Sequence, residues 1–525
     1  MSQQIVVIGA GIGGLAAALR LAHAGERVTV CEAHSAPGGK MRTLPSAAGP
    51  VDAGPTVMTM RHVFEGLFAD VGERLDNHVT LHRETVLARH FWHDGTTLDL
   101  FADPERSAEA VRSFAGPKAE RQFRTFSKQA QSLYEAFDAP MMQSAAPQMG
   151  ALSAAALKRS ALAKLLMSGR TLAQELSRAF EDPRLRQLFG RYATYVGGSP
   201  FQSPALLSLI WHAEALGVWR VDGGMHALAQ AVARLAETRG AEFHYNAPVA
   251  EIETDRGRVS GVRLENGTRL PADKVLFNGD PRAISTGRLG TRVSKAVATK
   301  AVEPRSLSAE VWAFAAAPRG PELAHHNVFF GGDPRDEFDP IAKGRLPKDP
   351  TLYICAQDRG TGITPDHGSL ERFEIIMNAP PCADPNGQAR NEETPPCRTT
   401  VFETLKAFGL SFSPEPDIQT ATGPQGFNRL FPASLGSLYG RSPHGLTASL
   451  DKPRVVTKVP GLYLAGGGVH PGAGIPMATL SGRHAAAAML KDRGSTSTST
   501  PTAMPGGTST GSRTMEPALS RSSLS

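Results

Sequence analysis

The sequence predicts an α/β protein in which a Rossmann-type domain, assembled from discontinuous segments, joins a mixed α+β domain. Three observations predict it. Within the first 32 residues the chain runs apolar strand, glycine turn, helix, strand and acid. Residues 461–490 again give an apolar strand, a glycine loop and a helix. Between these ends, helical and strand-like stretches alternate without an internal repeat.

The bulk numbers set the frame. A chain of 525 residues exceeds one typical core and implies two or three domains. Its composition, 41% hydrophobic and 20% charged, is globular. The net charge of +6 suits anionic lipids or ligands, but nothing resembles a nucleic-acid binder: there is no zinc-finger spacing and no basic helix with heptads. Cys31, Cys355, Cys382 and Cys397 form no CxxC, which points to a reducing cytoplasm, with Cys31 a small buried hydrophobe. A strand starting near Ile5 leaves no signal peptide before it, and no apolar run reaches 18 residues.

Along the chain, residues 1–60 carry the strand–turn–helix unit and 61–205 read as mostly helical. Residues 221–280 hold a helix and short strands, and 281–451 mix strands with Pro/Gly-rich loops. The Rossmann-type domain is therefore assigned to 1–75, 206–280 and 452–493, and the second domain to 76–205 and 281–451. Residues 494–525 are Ser/Thr/Gly/Pro-rich and are expected to be a disordered tail.

The first motif is a dinucleotide site. The run Ile5–Ile8 reads as a buried parallel strand, and Gly9, Gly11 and Gly14 complete GxGxxG. Gly9 permits the turn, Gly11 the approach of a pyrophosphate, and Gly14 close helix–strand packing. The helix that follows offers its N-terminus to phosphate, and Gly25 ends it. Strand Arg27–Cys31 delivers Glu32, 18 residues after Gly14, where a carboxylate accepts ribose hydroxyls.

The next stretch favours FAD over NAD. Gly38, Gly39, Lys40 and Arg42 suit a second phosphate clamp; the bland alternative is a solvated cation pair on a loop. Gly54-Pro55-Thr56 forms another turn at which backbone can meet a flavin ring.

These residues resemble the amine oxidase and carotenoid desaturase superfamily of FAD enzymes, and later blocks extend the likeness. Val221–Leu228 resembles the family's helix entry. Pro248–Ile252 resembles the strand whose Val249 backbone meets the adenine. Gly461–Met477 resembles the C-terminal flavin motif of bacterial-type phytoene desaturases, and Gly467, Gly472, Ile475, Pro476 and Met477 are carried over as flavin contacts. A helix N-terminus aimed at the ring would stabilise negative charge on it; the alternative is a structural turn. The resemblance covers about residues 1–490. It is closest to the 3,4-desaturase branch acting on hydroxylated carotenoids, on the stretches His325–Gly332, Leu352–Arg359 and Asn378–Pro380.

The resemblance implies a long apolar carotenoid substrate in a hydrophobic tunnel ending at the flavin. It implies loss of two hydrogens from a C–C bond and reoxidation by an unspecified acceptor. It implies a C-3,4 double bond in a 1-hydroxylated acyclic carotenoid such as 1-hydroxyneurosporene. Phytoene desaturation is the alternative, with amine oxidation or non-catalytic carotenoid binding after it. The sequence has no carboxylate pair or nucleophile–base motif. His212 and Glu214 are the candidates to accept a proton or polarise a substrate hydroxyl, against a reading as ordinary helix residues. Trp211 and Trp219 are core or tunnel wall, and Asp358-Arg359 is expected to be a structural pair. No metal is expected, because His325, His326, Asp333 and Asp336 fit no standard ligand spacing. Segment Ala151–Phe180, apolar with basic flanks, either docks on the surface of the inner membrane or packs on its own domain.

Overall fold

The strand Gln4–Ile8 lies at the centre of a five-stranded parallel sheet. The order across it is Leu462–Leu464, Lys274–Phe277, Gln4–Ile8, Arg27–Cys31 and Glu242–His244. Val6 pairs with Thr29 on one side and Val275 on the other. Both faces of the central strand are covered, which is why its sequence is continuously apolar rather than alternating. The computed structural model describes residues 2–158, 163, 165, 167–383, 397–445, 447–448 and 450–496. The tail expectation for 494–525 falls almost wholly outside them.

Helix Ile12–His23 buries every residue except Arg20 and His23 and packs against helices Met225–Thr238 and Ile475–Thr496. Its closeness to the sheet depends on two glycines. Gly9 has φ +94°, and a Cβ on Gly14 would stand 2.2 Å from the Gly9 carbonyl oxygen. No other residue type leaves room for that crossing.

A second sheet supports the other half of the molecule. Its order is Ser411–Ser413, Ser308–Arg319, Glu371–Ala379, Leu352–Ala356, His326–Phe329, Val86–Phe91 and Thr97–Phe101, with Ala421–Thr422 also paired to Ser308–Arg319. Residues 61–205 are thus less helical than their composition predicts: strands Leu81–Arg83, Val86–Phe91 and Thr97–Phe101 lie within them. Cross-strand burial of Leu87, Leu98 and Leu100 overrides helix propensity there. Helix Pro104–Phe137 begins at Asp103, whose side chain accepts the Glu105 N–H, and kinks at Gly116-Pro117.

Adjacent residues do not always pair as expected. Asp358 takes Arg372 (Nε to Oδ1, 2.9 Å) and Arg359 takes Glu371 (Nη2 to Oε1, 2.8 Å). The two residues sit in the turn that follows strand Leu352–Ala356, closed by the Arg359 N–H donating to the Ala356 carbonyl at 3.1 Å, and each side chain finds a partner on strand Glu371–Ala379 instead of the other. Trp211 is core, donating its indole N–H to Ser127 Oγ at 2.9 Å, and Trp219 is half-buried against the core around the parallel sheet.

Candidate active site

A cavity of about 400 Å³ opens at the C-terminal ends of the parallel strands, the usual ligand position in such sheets. Gly9, Gly11, Glu32, Gly39, Lys40, Gly54, Pro55, Val249, Gly467 and Ile475 all line it. The loop carrying Gly38 folds over the glycine turn, its N–H donating to the Ala10 carbonyl at 2.9 Å. Glu32 is buried and accepts the N–H groups of Ala10 (2.6 Å) and His34 (2.9 Å). Helix Ile12–His23 has no side-chain cap and no acid in its first turn, so its free N–H groups remain available at the cavity wall. Bare backbone, a helix N-terminus, a cation at Lys40 and an acid at Glu32 together fit an adenine dinucleotide.

The remaining sequence candidates sit elsewhere. Gly14 lies behind the turn. Arg42 donates to Thr422 Oγ1 at 2.8 Å and lies over the Phe427 ring, with Glu374 nearby. Gly472 stands beside Lys452, and Met477 packs against the core that includes Met60 and Leu133. Thr56 and Pro476 line a neighbouring cavity. Asn278 was not legible in the sequence: its side-chain N–H₂ stands 3.2 Å from the Gly9 and Gly11 carbonyls, at the end of strand Lys274–Phe277. An amide just past an apolar strand was the available signal.

The neighbouring cavity is about 470 Å³ and mostly apolar, walled by Val57, Leu176, Phe201, Val328, Phe330 and Phe338. It meets the first cavity at five residues that line both: Pro55, Ile376, Tyr439, Gly474 and Ile475. The stretches His325–Gly332, Leu352–Arg359 and Asn378–Pro380, remote in sequence, contribute adjacent strands whose Val328, Tyr353 and Asn378 reach this cavity.

Polar side chains under the junction form a connected set. Thr56 Oγ1 stands 2.9 Å from Tyr353 OH and 3.1 Å from Glu374 Oε2, and Tyr353 OH stands 2.7 Å from His326 Nδ1. Burial pushes the Glu374 carboxyl well up and the His326 imidazole well down, favouring the neutral form of each. His325, His326 and Cys355 gather in the same interior with their donor atoms within 4.8 Å. Of the set weighed and set aside in the sequence, Asp333 instead caps helix Pro334–Ala342.

Neither His212 nor Glu214 lines either cavity. Burial lowers the His212 imidazole, whose ring tilts against Tyr134 at 5.2 Å. Glu214 is buried and accepts the hydroxyls of Tyr192 (2.7 Å) and Tyr195 (2.5 Å), with Arg191 at 3.7 Å. Tyr195 and Arg191 do line the apolar cavity, so Glu214 touches it through them. Helix Leu209–Ala215 faces inward at these positions, which its short pattern does not reveal.

Among the described residues, no helix is long and apolar enough to cross a membrane. The segment Ala151–Phe180 is not one helix: Met149–Lys158 and Leu172–Ala179 are separate, and several residues between them lie outside the described set.

Comparison with known proteins agrees with this geometry. Residues 12–336 match the family described as flavin containing amine oxidoreductase. The chain is 55% identical over 494 residues to a hydroxyneurosporene desaturase of Cereibacter sphaeroides, covering 94% of this chain and 99% of the relative. It is 51% identical to one from Rhodobacter capsulatus, covering 93% and 98%. Cyclohexylamine oxidase from Brevibacterium oxydans shares the fold, with a TM-score of 0.57 at 18% identity over 94% of this chain and 100% of that one. A nucleotide cavity meeting an apolar one, on a chain this similar to named desaturases, has one consistent reading. The chain belongs to the flavin-containing amine oxidoreductase family, and within it is an FAD-dependent carotenoid desaturase acting on CH–CH groups.

Proposed function

We propose that the substrate is a 1-hydroxylated acyclic carotenoid of the 1-hydroxyneurosporene type and that the bond desaturated is C-3,4. The carrying observation is the meeting of the two cavities at Pro55, Ile376, Tyr439, Gly474 and Ile475. The names of the relatives at 51–55% identity support the substrate. When bound, FAD supplies the hydride acceptor for one of the two hydrogens removed, the other leaving as a proton. In this reading Glu32 accepts ribose hydroxyls, Lys40 faces the pyrophosphate, and Val249 lies along the adenine. The apolar wall excludes water and orients a nearly featureless polyene, each buried methylene contributing about 0.8 kcal/mol.

The role expected of Glu214 becomes indirect, since it orients Tyr195 at the cavity wall, and His212 packs on Tyr134 away from both cavities. Such a substrate resides in the bilayer, so the enzyme takes it up while docked on the membrane surface. Met149 and Met167, 53% and 87% exposed at either end of a basic segment, suit insertion into that surface.

Expression in cells accumulating several acyclic carotenoids, followed by pigment analysis, tests the substrate. A new 3,4 double bond appearing only in hydroxylated pigments supports the reading. Conversion of phytoene instead would overturn it.

A further inference from the structure

We propose that the Tyr439 hydroxyl binds the tertiary hydroxyl of the substrate and selects hydroxylated over unhydroxylated acyclic carotenoids. The inference rests on the C-3,4 reading above. In a 1-hydroxylated chain, the oxygen is three bonds from C-3. It therefore lies within about 4 Å of the nearer reacting carbon. With that bond positioned for oxidation, the hydroxyl sits where the apolar cavity opens onto the nucleotide cavity. It cannot lie at the remote end.

Of the five residues that line both cavities, only Tyr439 carries a hydrogen-bonding side-chain group. Its main chain is held: the amide stands 3.2 Å from Ser306 Oγ, and the carbonyl accepts from Lys452 Nζ at 3.4 Å. Its hydroxyl has no hydrogen-bond partner among the described residues. Burial pushes the phenol up to about 12, so it is neutral and can both donate to and accept from an alcohol.

The nearby alternatives are already engaged. Thr56 and Tyr353 bond to each other, to Glu374 and to His326. Asn378, also on the apolar cavity wall, donates to Glu337 at 2.8 Å. An alcohol buried without a partner is costly, and a site built for one discriminates against the analogue lacking it.

The test uses flavin-loaded full-length protein, wild type and Tyr439→Phe. kcat/KM is measured for a 1-hydroxylated acyclic carotenoid and for the same polyene without the hydroxyl. Wild type prefers the hydroxylated compound. Tyr439→Phe is expected to cut that preference by about tenfold, through loss on the hydroxylated substrate alone. Tyr439→Gln, which keeps a polar terminus, is expected to recover part of it. An unchanged preference in Tyr439→Phe would overturn the proposal. So would loss of flavin from that variant, since an oxygen serving only the substrate does not hold the cofactor. If wild type itself fails to prefer the hydroxylated compound, the substrate reading has failed, and that result is separate from any effect of the variant.

Discussion

The Glu32 carboxylate lies 2.6 Å from the backbone nitrogen of Ala10 and ties the end of the second strand to the glycine turn after the first. One side chain thus fixes the turn and presents an acceptor to the nucleotide cavity. Replacing it with alanine removes the acceptor and leaves the buried Ala10 N–H unpaired. Hydrogen bonds to charged groups contribute about 1.5–3 kcal/mol. Glu32→Ala is therefore expected to weaken FAD binding roughly 10–100-fold, read as flavin content after gel filtration. Full flavin content would remove Glu32 from the site.

Gly14→Ala should prevent flavin loading for a different reason. The added methyl would stand 2.2 Å from the Gly9 carbonyl oxygen and 3.0 Å from Asn278 Nδ2. Helix Ile12–His23 must then move off the sheet, at a cost of about 1–3 kcal/mol or more. The ratio of flavin to protein absorbance checks it; a normal ratio means that the helix has room to shift.

Lys40 should make cofactor binding depend on pH. Burial lowers its pKa from the ordinary 10.5 to about 8, with Asp280 opposing and Arg305 reinforcing the shift. A phosphate brought alongside favours the charged form. Below pH 8 the ammonium is already charged and binding takes up no proton. Above it, binding does take one up, so affinity falls with rising pH by up to tenfold per unit. Flavin fluorescence titrations of the apoprotein between pH 7 and 9.5 measure this. Lys40→Met should be weaker and flat, and an equally sloped profile in that variant would assign the proton elsewhere.

Glu214→Ala strands the hydroxyls of Tyr192 and Tyr195 and the Arg191 cation in the interior. Breaking a buried charged set in this way costs about 3–5 kcal/mol. The melting temperature should fall by several degrees, and Glu214→Gln, which keeps an acceptor, should fall less. Anaerobic flavin reduction by carotenoid separates structure from chemistry: if Glu214 only orients Tyr195, Glu214→Gln still reduces its flavin.

The nucleotide half was largely legible because its signals are local. Gly9, Gly11, Gly14 and Glu32 sit within one strand–helix–strand unit, where spacing alone fixes geometry. The substrate half was not, because its contacts span the chain. Thr56 meets Glu374 across 318 positions, and Tyr353 meets His326 only because two antiparallel strands align. No periodicity encodes such pairs. Tyr439 lies in a run of turns with no local pattern, and only the shared cavity wall reveals it. Helix Leu209–Ala215 shows the converse: His212 and Glu214 look chemically suitable in the sequence, yet the helix turns them toward tyrosines rather than the cavity.

The strand Leu462–Leu464 and the loop after it complete a cavity begun by residues 4–32. On the ribosome, the first glycine turn therefore emerges long before its opposite wall exists. At about 5–20 residues per second, that gap amounts to roughly tens of seconds. Cofactor capture must await synthesis of both walls, and a nascent chain halted before Gly466 carries half a binding site and no colour.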